Sequence, residues 1–326
     1  MDFSLPIVGR LAPSPTGGLH LGHARTFLTA WLAARSLGGK MIMRIEDIDT
    51  SRVRPGMVEA AIEDLRWLGL NWDEGPDVGG PAGSYLQSQR TRFYDRALEL
   101  LKQRELIFPC TCTRAEISRM ASAPHASEGE PVYPGTCRGR SATEADRLQA
   151  EGRLFSWRFR VPPGEVGWPD LVRGPQRLDP SVIGGDFLVG RSSGEPAYQL
   201  AVVVDDAAMG VNQVIRGDDL VTSTPRQLLI YRALGFQPPR FGHVPLVHDA
   251  QGRRLAKRDQ AIKLSSLREA GVDPCRLVGW LAVSCGWAET VVPSWPVDWV
   301  GRCKPFEIPP EPWVLSEAVL KDLGIG

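Results

Sequence analysis

The segment APSPTGGLHLGH at residues 12–23 constrains the fold more than any other part of the chain. An apolar run over 6–11 precedes it, and ARTFLTAWL at 24–32 follows directly. Residues 7–12 read as a buried strand. Phe27, Leu28, Trp31 and Leu32 fall on one face of a helix predicted over 24–37. The turn between them carries Pro13, Pro15, Gly17 and Gly18, then His20 and His23. Strand, Gly-rich turn and helix N-terminus in this order make a seat for phosphate. Free backbone N–H groups and the positive end of the helix dipole face it. His20 and His23 add side-chain donors, and Gly22 allows close backbone approach. A Gly-rich turn before a helix is weak evidence alone. A second signal lies over two hundred residues away, in the basic loop GRRLAKRD at 252–259, after the apolar run 243–247. Taken singly, such a loop is an ordinary solvated charge run.

Bulk properties narrow the class. Lysine and arginine number 38, as do aspartate and glutamate, so any nucleic-acid contact must come from a local patch. No apolar run reaches membrane-spanning length, and the N-terminus lacks a signal-peptide pattern. No membrane partner is expected. Six cysteines in 326 residues do not form a disulfide scaffold, so a reducing cytoplasm is the expected setting. The 27 prolines and 34 glycines indicate many turns and rigid loops.

Residues 41–45 complete a strand–helix–strand unit, the first part of a parallel sheet in an α/β fold. A helix is predicted over 55–68, with Pro55 in its first turn and Val58, Ala61, Ile62 and Leu65 on one face. Ser88 is expected to cap another helix, with Phe93, Ala97, Leu100 and Leu101 as its apolar face. The stretch 108–139 is irregular and rich in Cys, Pro and Gly. Phe155, Trp157, Phe159 and Val161 then alternate with Ser156, Arg158 and Arg160 as in a half-buried strand. Residues 200–204 and 213–215 read as strands. Thr224 is expected to cap a helix with Pro225 at its first position, and Asp273 with Pro274 to start another. Beyond 287 the chain is Pro- and Trp-rich and little is legible. The expected division is 1–70 and 195–260 as two halves of one sheet domain, 71–194 as a mixed insertion, and 261–326 as a short helical region.

Cys110, Cys112 and Cys137 lie close in the irregular stretch. Three such thiols suit one structural zinc, which prefers four ligands in a closed tetrahedron. His125 is the conventional fourth ligand by chemistry; buried free cysteines are the plain alternative. Cys275 and Cys285 sit on an apolar helix pattern and read as core residues.

His20 to His23 and the RLAKR stretch at 254–258 resemble the HIGH and KMSKS motifs of class I aminoacyl-tRNA synthetases. The resemblance runs from about residue 8 to about 267. It includes RIEDIDT at 44–50, YQLAVVVDD at 198–206, VIRGDDL at 214–220 and STPRQ at 223–227, which match the glutamate-activating branch. It implies a Rossmann-type parallel sheet with a zinc-containing α+β insertion. The implied chemistry is adenylation, in which a glutamate carboxylate attacks the α-phosphate of ATP, supplied with Mg2+. Charge then builds on phosphate oxygens, so positioned donors and cations matter more than a covalent nucleophile. His20, Gly22 and His23 would meet the triphosphate, and Lys257 would neutralise the departing pyrophosphate.

Two features depart from the commonest pattern. Many bacterial glutamyl-tRNA synthetases have Gly where His23 stands, and Ala256 replaces the usual Ser of the basic loop. The resemblance further implies that Arg10, Ser14, Glu46, Tyr198 and Arg216 hold L-glutamate. Two arginines can clamp its carboxylates and Glu46 can pair its ammonium. The alternative for Arg10 and Arg216 is structural pairing with Glu46, Asp47, Asp218 or Asp219. Asp205 and Asp206 read as structural acids.

The Cys-x-Cys…Tyr-x-x-x-Cys pattern resembles that of glutamyl-queuosine tRNA(Asp) synthetases, which favours Tyr133 as the fourth zinc ligand. Only 69 residues follow Lys257, too few for the helical anticodon domains of a discriminating glutamyl-tRNA synthetase. These features imply transfer of activated glutamate to queuosine at the wobble position of tRNA(Asp); a monomer is the expected state, though the features themselves do not bear on it. The basic run 153–160 is a candidate surface for the anticodon arm, although its alternation fits an exposed strand face equally well. A truncated synthetase charging an acceptor end, and a non-catalytic module binding glutamate or ATP, are the rival readings.

Overall fold

The computed structural model describes residues 6–121, 132–253, 255 and 263–324. Strand β1 (Val8–Leu11) leads through the turn into α1 (Leu21–Arg35), and β2 (Lys40–Met43) returns parallel to β1, with Arg10 opposite Ile42. Eleven of the fifteen residues of α1 are buried, so this helix is central rather than amphipathic. Its Arg25 is fully buried and donates to the carbonyls of Pro245 (2.5 Å) and Ser284 (3.0 Å), tying α1 to the C-terminal region.

Helix α2 (Met57–Trp67) begins two residues after Pro55, because Gly56 takes a left-handed φ of 77° at its N-cap. Helix α3 (Thr91–Gln103) starts beyond Ser88 and is not capped by it. The Ser88 hydroxyl instead donates to Asp47 at 2.6 Å, fixing the segment after β2.

Beyond α3, the remainder of the segment 71–194 contains β3 (Ile107–Cys110), α4 (Arg114–Ala121), α5 (Glu144–Ala150), β4 (Ser156–Phe159), the hairpin β5 (Val166–Asp170) and β6 (Gly174–Leu178), and β7 (Leu188–Gly190). Strands β3, β4 and β7 form one antiparallel sheet.

The apolar run 200–204 is not a strand. It lies inside helix α6 (Tyr198–Ala208), buried through Asp206. A short β-branched run buried on all sides has no periodicity to separate strand from helix, and tertiary packing chose the helix. Strand β8 (Gln213–Gly217) then runs beside β1. The Val8 amide donates to the Asn212 side chain (2.8 Å), and the Asn212 amide donates to the Val8 carbonyl (3.1 Å).

Helix α7 (Ser223–Leu234) starts one residue before Thr224, whose hydroxyl does not cap it. Strand β9 (Arg240–Val244) pairs in parallel with β8 and sets His243 opposite Arg216. The chain continues through β10 (Val247–His248), α8 (Leu264–Glu269) and α9 (Pro274–Ser284), whose N-cap Asp273 accepts from the Cys275 amide and is followed by Pro274 as expected. The Pro- and Trp-rich tail adds β11 (Trp313–Val314), parallel to β10, and α10 (Glu317–Asp322). Ile308, Leu315, Val319 and Leu323 of this tail join the core that surrounds α1. A second core unites α3, α6 and α7 with β3, β4, β5 and β7. Among the described residues, no helix is long and apolar enough to cross a membrane.

Candidate active site

A cavity of about 330 Å³ opens where β1, the N-terminus of α1, the segment after β2, the start of α6 and the end of β8 converge. Arg10, Ser14, His20, Gly22, His23, Glu46, Tyr198 and Arg216 all line it. The parallel pairing explains this meeting. Arg10 leaves β1 and Arg216 leaves the adjacent β8, so both reach the same end of the sheet.

His20 is the N-cap of α1, and its Nδ1 accepts the Gly22 N–H at 3.1 Å. His23 Nδ1 accepts the His20 N–H at 3.2 Å. Both rings therefore use Nδ1 as acceptor, which assigns each neutral ring its proton on Nε2. The helix start is thus partly self-capped, and the Gly22 N–H is engaged rather than free for a ligand. The lack of a side chain at Gly22 also has a local cause. A Cβ there would lie 3.0 Å from His20 Cε1, so any larger residue would displace that ring.

Lys257 and Ala256 lie outside the described residues, but the flanks of their motif do not. Leu255 lines the cavity, and Lys263 bridges to His20, with the Leu264 amide donating to the Leu19 carbonyl at 2.8 Å.

Arg216 is buried at 4% exposure, and all its hydrogen-bond partners are neutral. Nε donates to His243 Nε2 (3.0 Å), Nη1 to Gln227 Oε1 (2.8 Å), and Nη2 to Thr224 Oγ1 (2.8 Å) and the Leu220 carbonyl (3.4 Å). Among the described residues no carboxylate lies within ion-pair distance of it. Burial accordingly pulls its guanidinium below the ordinary arginine range. The structural salt bridge that sequence alone left open is therefore absent at Arg216. Arg10 is different, with Nε 3.6 Å from Asp206 and Nη1 donating to the Ile215 carbonyl at 3.2 Å.

Several contributors were not legible beforehand. Arg44 is fully buried and donates to Asp206 (2.6 Å) and Glu46 (3.0 Å). Burial works against its charge, but Asp206, Glu46 and Asp205 more than offset this and raise it. Burial pushes the Glu46 carboxyl above its ordinary range, against the pull of Arg44 and Arg10. Asp205 is structural as expected, bound by Arg90 (2.6 Å), Gln87 (2.8 Å) and Tyr94 (2.8 Å).

Asp170, at the end of β5, accepts from His243 Nδ1 and from the His243 amide. His243 thus donates to Asp170 through one nitrogen and accepts from Arg216 through the other, which requires the neutral ring. Burial holds its imidazole below the ordinary value, outweighing the opposite pull of Asp170. Burial works most strongly to raise Asp170, but the bonds from His243 and from the Arg173 and Val172 amides together outweigh it and bring the carboxyl down to about 2. The sign follows. Above the ordinary histidine value of 6.5 this pairing contributes its full stability. As pH falls below that value the unfolded chain binds a proton that the folded chain resists, and stability drops. Asp170 adds a further loss between its ordinary 3.8 and about 2. Melting temperature should therefore fall as pH is lowered through 6.5, and the His243→Gln variant should show a flatter profile over that window. An identical slope in both would remove His243 as the cause.

In the insertion, the sulfurs of Cys110, Cys112 and Cys137 all lie within 4.8 Å of one another, with Cys112 and Cys137 at 3.7 Å. The Tyr133 hydroxyl accepts from the Cys137 amide at 2.8 Å and stands 3.4 Å from Cys110 Sγ. His125 lies outside the described residues. Burial works to raise Cys137, but hydrogen bonds, chiefly with Thr111 and Tyr133, bring its thiol down to about 7. Cys112 is pushed up to about 12 by burial and by neighbouring Cys110. Three crowded thiols cannot all ionise without a cation, and this cluster can bind a metal. Cys285 is buried as expected, whereas Cys275 is only partly so, at the start of α9.

The catalytic domain model of class I tRNA synthetases (E and Q) matches residues 6–290. A glutamyl-Q tRNA(Asp) synthetase from Nitratidesulfovibrio vulgaris is 50% identical, over 98% of this chain and 99% of its own. A glutamate–tRNA ligase from Syntrophus aciditrophicus is 43% identical over 84% of this chain but only 56% of its own. The crystal structure of glutamate–tRNA synthetase from Elizabethkingia anophelis superposes with a TM-score of 0.85 at 28% identity, over 98% of this chain and 70% of that one. The fold and these matches define a class I tRNA synthetase of the glutamate and glutamine type. Within that class, the chain belongs to the glutamyl-Q tRNA(Asp) synthetase family.

Proposed function

We propose that the protein activates L-glutamate with ATP and transfers it to queuosine in the anticodon of tRNA(Asp). The observation that carries the first half is Arg216, a buried cation whose own partners are all neutral. A carboxylate entering the cavity supplies the missing charge. Arg10 faces the same space, Glu46 offers a carboxylate to an ammonium, and Tyr198 and Ser14 complete the lining. Such a cavity selects a small zwitterion with a second carboxylate. The second half rests on the near end-to-end similarity to a glutamyl-Q tRNA(Asp) synthetase, against partial coverage of the glutamate–tRNA ligase.

Magnesium enters with ATP as part of the substrate. The α-carboxylate attacks the α-phosphorus, the bond to the bridging oxygen breaks, and pyrophosphate leaves. His20 and His23 present their Nε2–H groups at the triphosphate, where charge accumulates. Lys257 acts on the departing pyrophosphate. The Lys257→Ala variant should therefore form adenylate at least ~100-fold more slowly, with glutamate affinity nearly unchanged. Single-turnover kinetics checks this, and an unaltered rate constant would remove the loop from the chemistry.

The thiol cluster fits zinc. Two thiolates about 2.3 Å from one tetrahedral zinc stand roughly 3.8 Å apart, against 3.7 Å for Cys112 and Cys137. Cys110, Cys112 and Cys137 would hold it with the Tyr133 oxygen, whose proton the metal would have to displace, since burial and the neighbouring Cys110 raise the phenol. The metal would order the irregular stretch and lies outside the chemistry. A reducing cytoplasm and a monomeric state belong to the same reading.

Pyrophosphate exchange with each amino acid, followed by labelling of a queuosine-containing anticodon stem-loop with radioactive glutamate, tests the proposal. Exchange with glutamate and labelling of the stem-loop are expected. Charging of a glutamate tRNA at its terminal ribose, with the stem-loop unlabelled, would instead favour a truncated synthetase.

A further inference from the structure

The basic run 153–160 divides in the fold. Arg158 turns inward to the Asp186 carbonyl (2.7 Å), and Arg160 binds the carbonyls of Glu105 (3.1 Å) and Arg140 (2.5 Å). Neither is a free surface charge. What the run leaves outside is Arg153, Leu154, Phe155 and Trp157, which line a cavity of about 440 Å³ between the end of α3, the end of α5 and β7.

Phe155 and Trp157 are both partly exposed on the same side of the chain at β4, edge to face with centroids 5.4 Å apart. Leu154 is 77% exposed beside them. Lys102 Nζ lies 5.0 Å from the Trp157 ring centroid. Gly190, the partner of Trp157 across the β4–β7 pair, and Gly194 also line it, and a Cβ at Gly190 would lie 3.1 Å from Trp157 Cδ1. Arg153 also lines a neighbouring hollow of about 510 Å³ that carries Arg119 and Arg140. Asp95 and Glu116 are the acids in these two linings. The result is a groove floored by aromatic rings with more cations than acids in its lining, where Glu99 pairs Lys102 at 3.4 Å and Glu151 stands 4.0 Å from Arg153 at the exposed rim.

Side-chain contacts tie this groove's wall to segments that lead into the active cavity. Arg191, in its wall, is 3.2 Å from Asp49, and the Thr50 hydroxyl donates to Glu195 at 3.0 Å. Asp49 follows Glu46 by three residues, and Glu195 precedes Tyr198 by three. Each connection can span at most roughly 10 Å, so groove and cavity are close neighbours.

We infer that the Phe155–Trp157 groove stacks an unpaired base of the tRNA loop a few nucleotides from the accepting one, with Lys102 and Arg153 on the flanking phosphates. Aromatic platforms beside cations are the general means of holding single-stranded nucleic acid, because every base has a π face. The assignment rests on the proposed function for the identity of the RNA, but not for the groove's chemistry.

The test uses the full chain and a queuosine-containing anticodon stem-loop. Trp157→Ala should raise the stem-loop Kd about 10–100-fold while glutamate-dependent pyrophosphate exchange stays unchanged. Trp157→Phe should recover most of the loss. Arg153→Glu, at an exposed position, should weaken binding and reduce the slope of log Kd against log salt by about one or more. Wild-type binding and salt slope retained in Trp157→Ala and Arg153→Glu overturn the inference, even where the stem-loop is labelled and the functional reading stands. Trp157-dependent binding by a wild-type protein that fails to label the stem-loop supports the groove and defeats the functional reading instead. A second protein copy, rather than RNA, covering the groove would show as a dimer that Trp157→Ala dissociates, and this too overturns it.

Discussion

Arg216→Ala is expected to lower kcat/KM for glutamate in pyrophosphate exchange by about 10²–10³-fold. Truncating one member of a buried, hydrogen-bonded charge pair costs about 2–5 kcal/mol, and each 1.4 kcal/mol is a factor of ten. The guanidinium is held rigidly by His243, Gln227 and Thr224, so its orientation is fixed before substrate arrives. That makes the shape of the fork as important as its charge. Arg216→Lys retains the charge but cannot make the three-sided set of bonds, and should lose most of the activity too. Circular dichroism and ATP binding should stay near wild type in the lysine variant. Glutamate turnover within two-fold of wild type in both variants would refute Arg216 as the carboxylate receptor. The same experiment probes the support behind it, since Asp170→Asn should raise KM for glutamate while leaving Arg216 in place.

Loss of the metal is expected to have the largest effect on stability. The purified protein should contain one zinc per chain, and Cys137→Ser should abolish it. Its third core is small, formed by Phe108, Cys110, Ile117, Tyr133 and Cys137. So few apolar residues bury too little surface to order the segment alone, and metal binding there should contribute on the order of several kcal/mol. Chelation or Cys137→Ser should melt the insertion at lower temperature while the core around α1 unfolds near its original Tm. Elemental analysis and calorimetry measure both. Zinc near zero in the wild type would sink the site, and zinc lost from His125→Ala but kept in Tyr133→Phe would reassign the fourth ligand.

Much of the candidate site could be read from the sequence. Arg10, Ser14, His20, Gly22, His23, Glu46, Tyr198 and Arg216 are spread over more than two hundred positions, yet line one cavity. The turn and its two histidines were legible from strand, turn and helix in order, whereas Arg10, Ser14, Glu46, Tyr198 and Arg216 were named only through the resemblance to the glutamate-activating synthetases. Lys257 lies outside the described residues, so only its flanks at Leu255 and Lys263 are seen to reach the cavity. The helix ends were read less well. Ser88 and Thr224 looked like caps, but their hydroxyls serve Asp47 and Arg216. A capping serine and one recruited by a distant charge look alike in one dimension.

The sequence alone determined the strand–turn–helix at the N-terminus and the helix opened by Asp273 and Pro274. These rest on local rules: periodicity, turn residues and caps act within a few positions. The tertiary structure decided that 198–208 is a helix, because its apolar run is buried on every side and local pattern is silent there. It also decided that Asp170, from the insertion, reaches across 73 positions to hold His243, and through it Arg216. Such a partner is selected by the desolvation of a buried cation, which penalises every unsatisfied group near it wherever those groups lie in the chain.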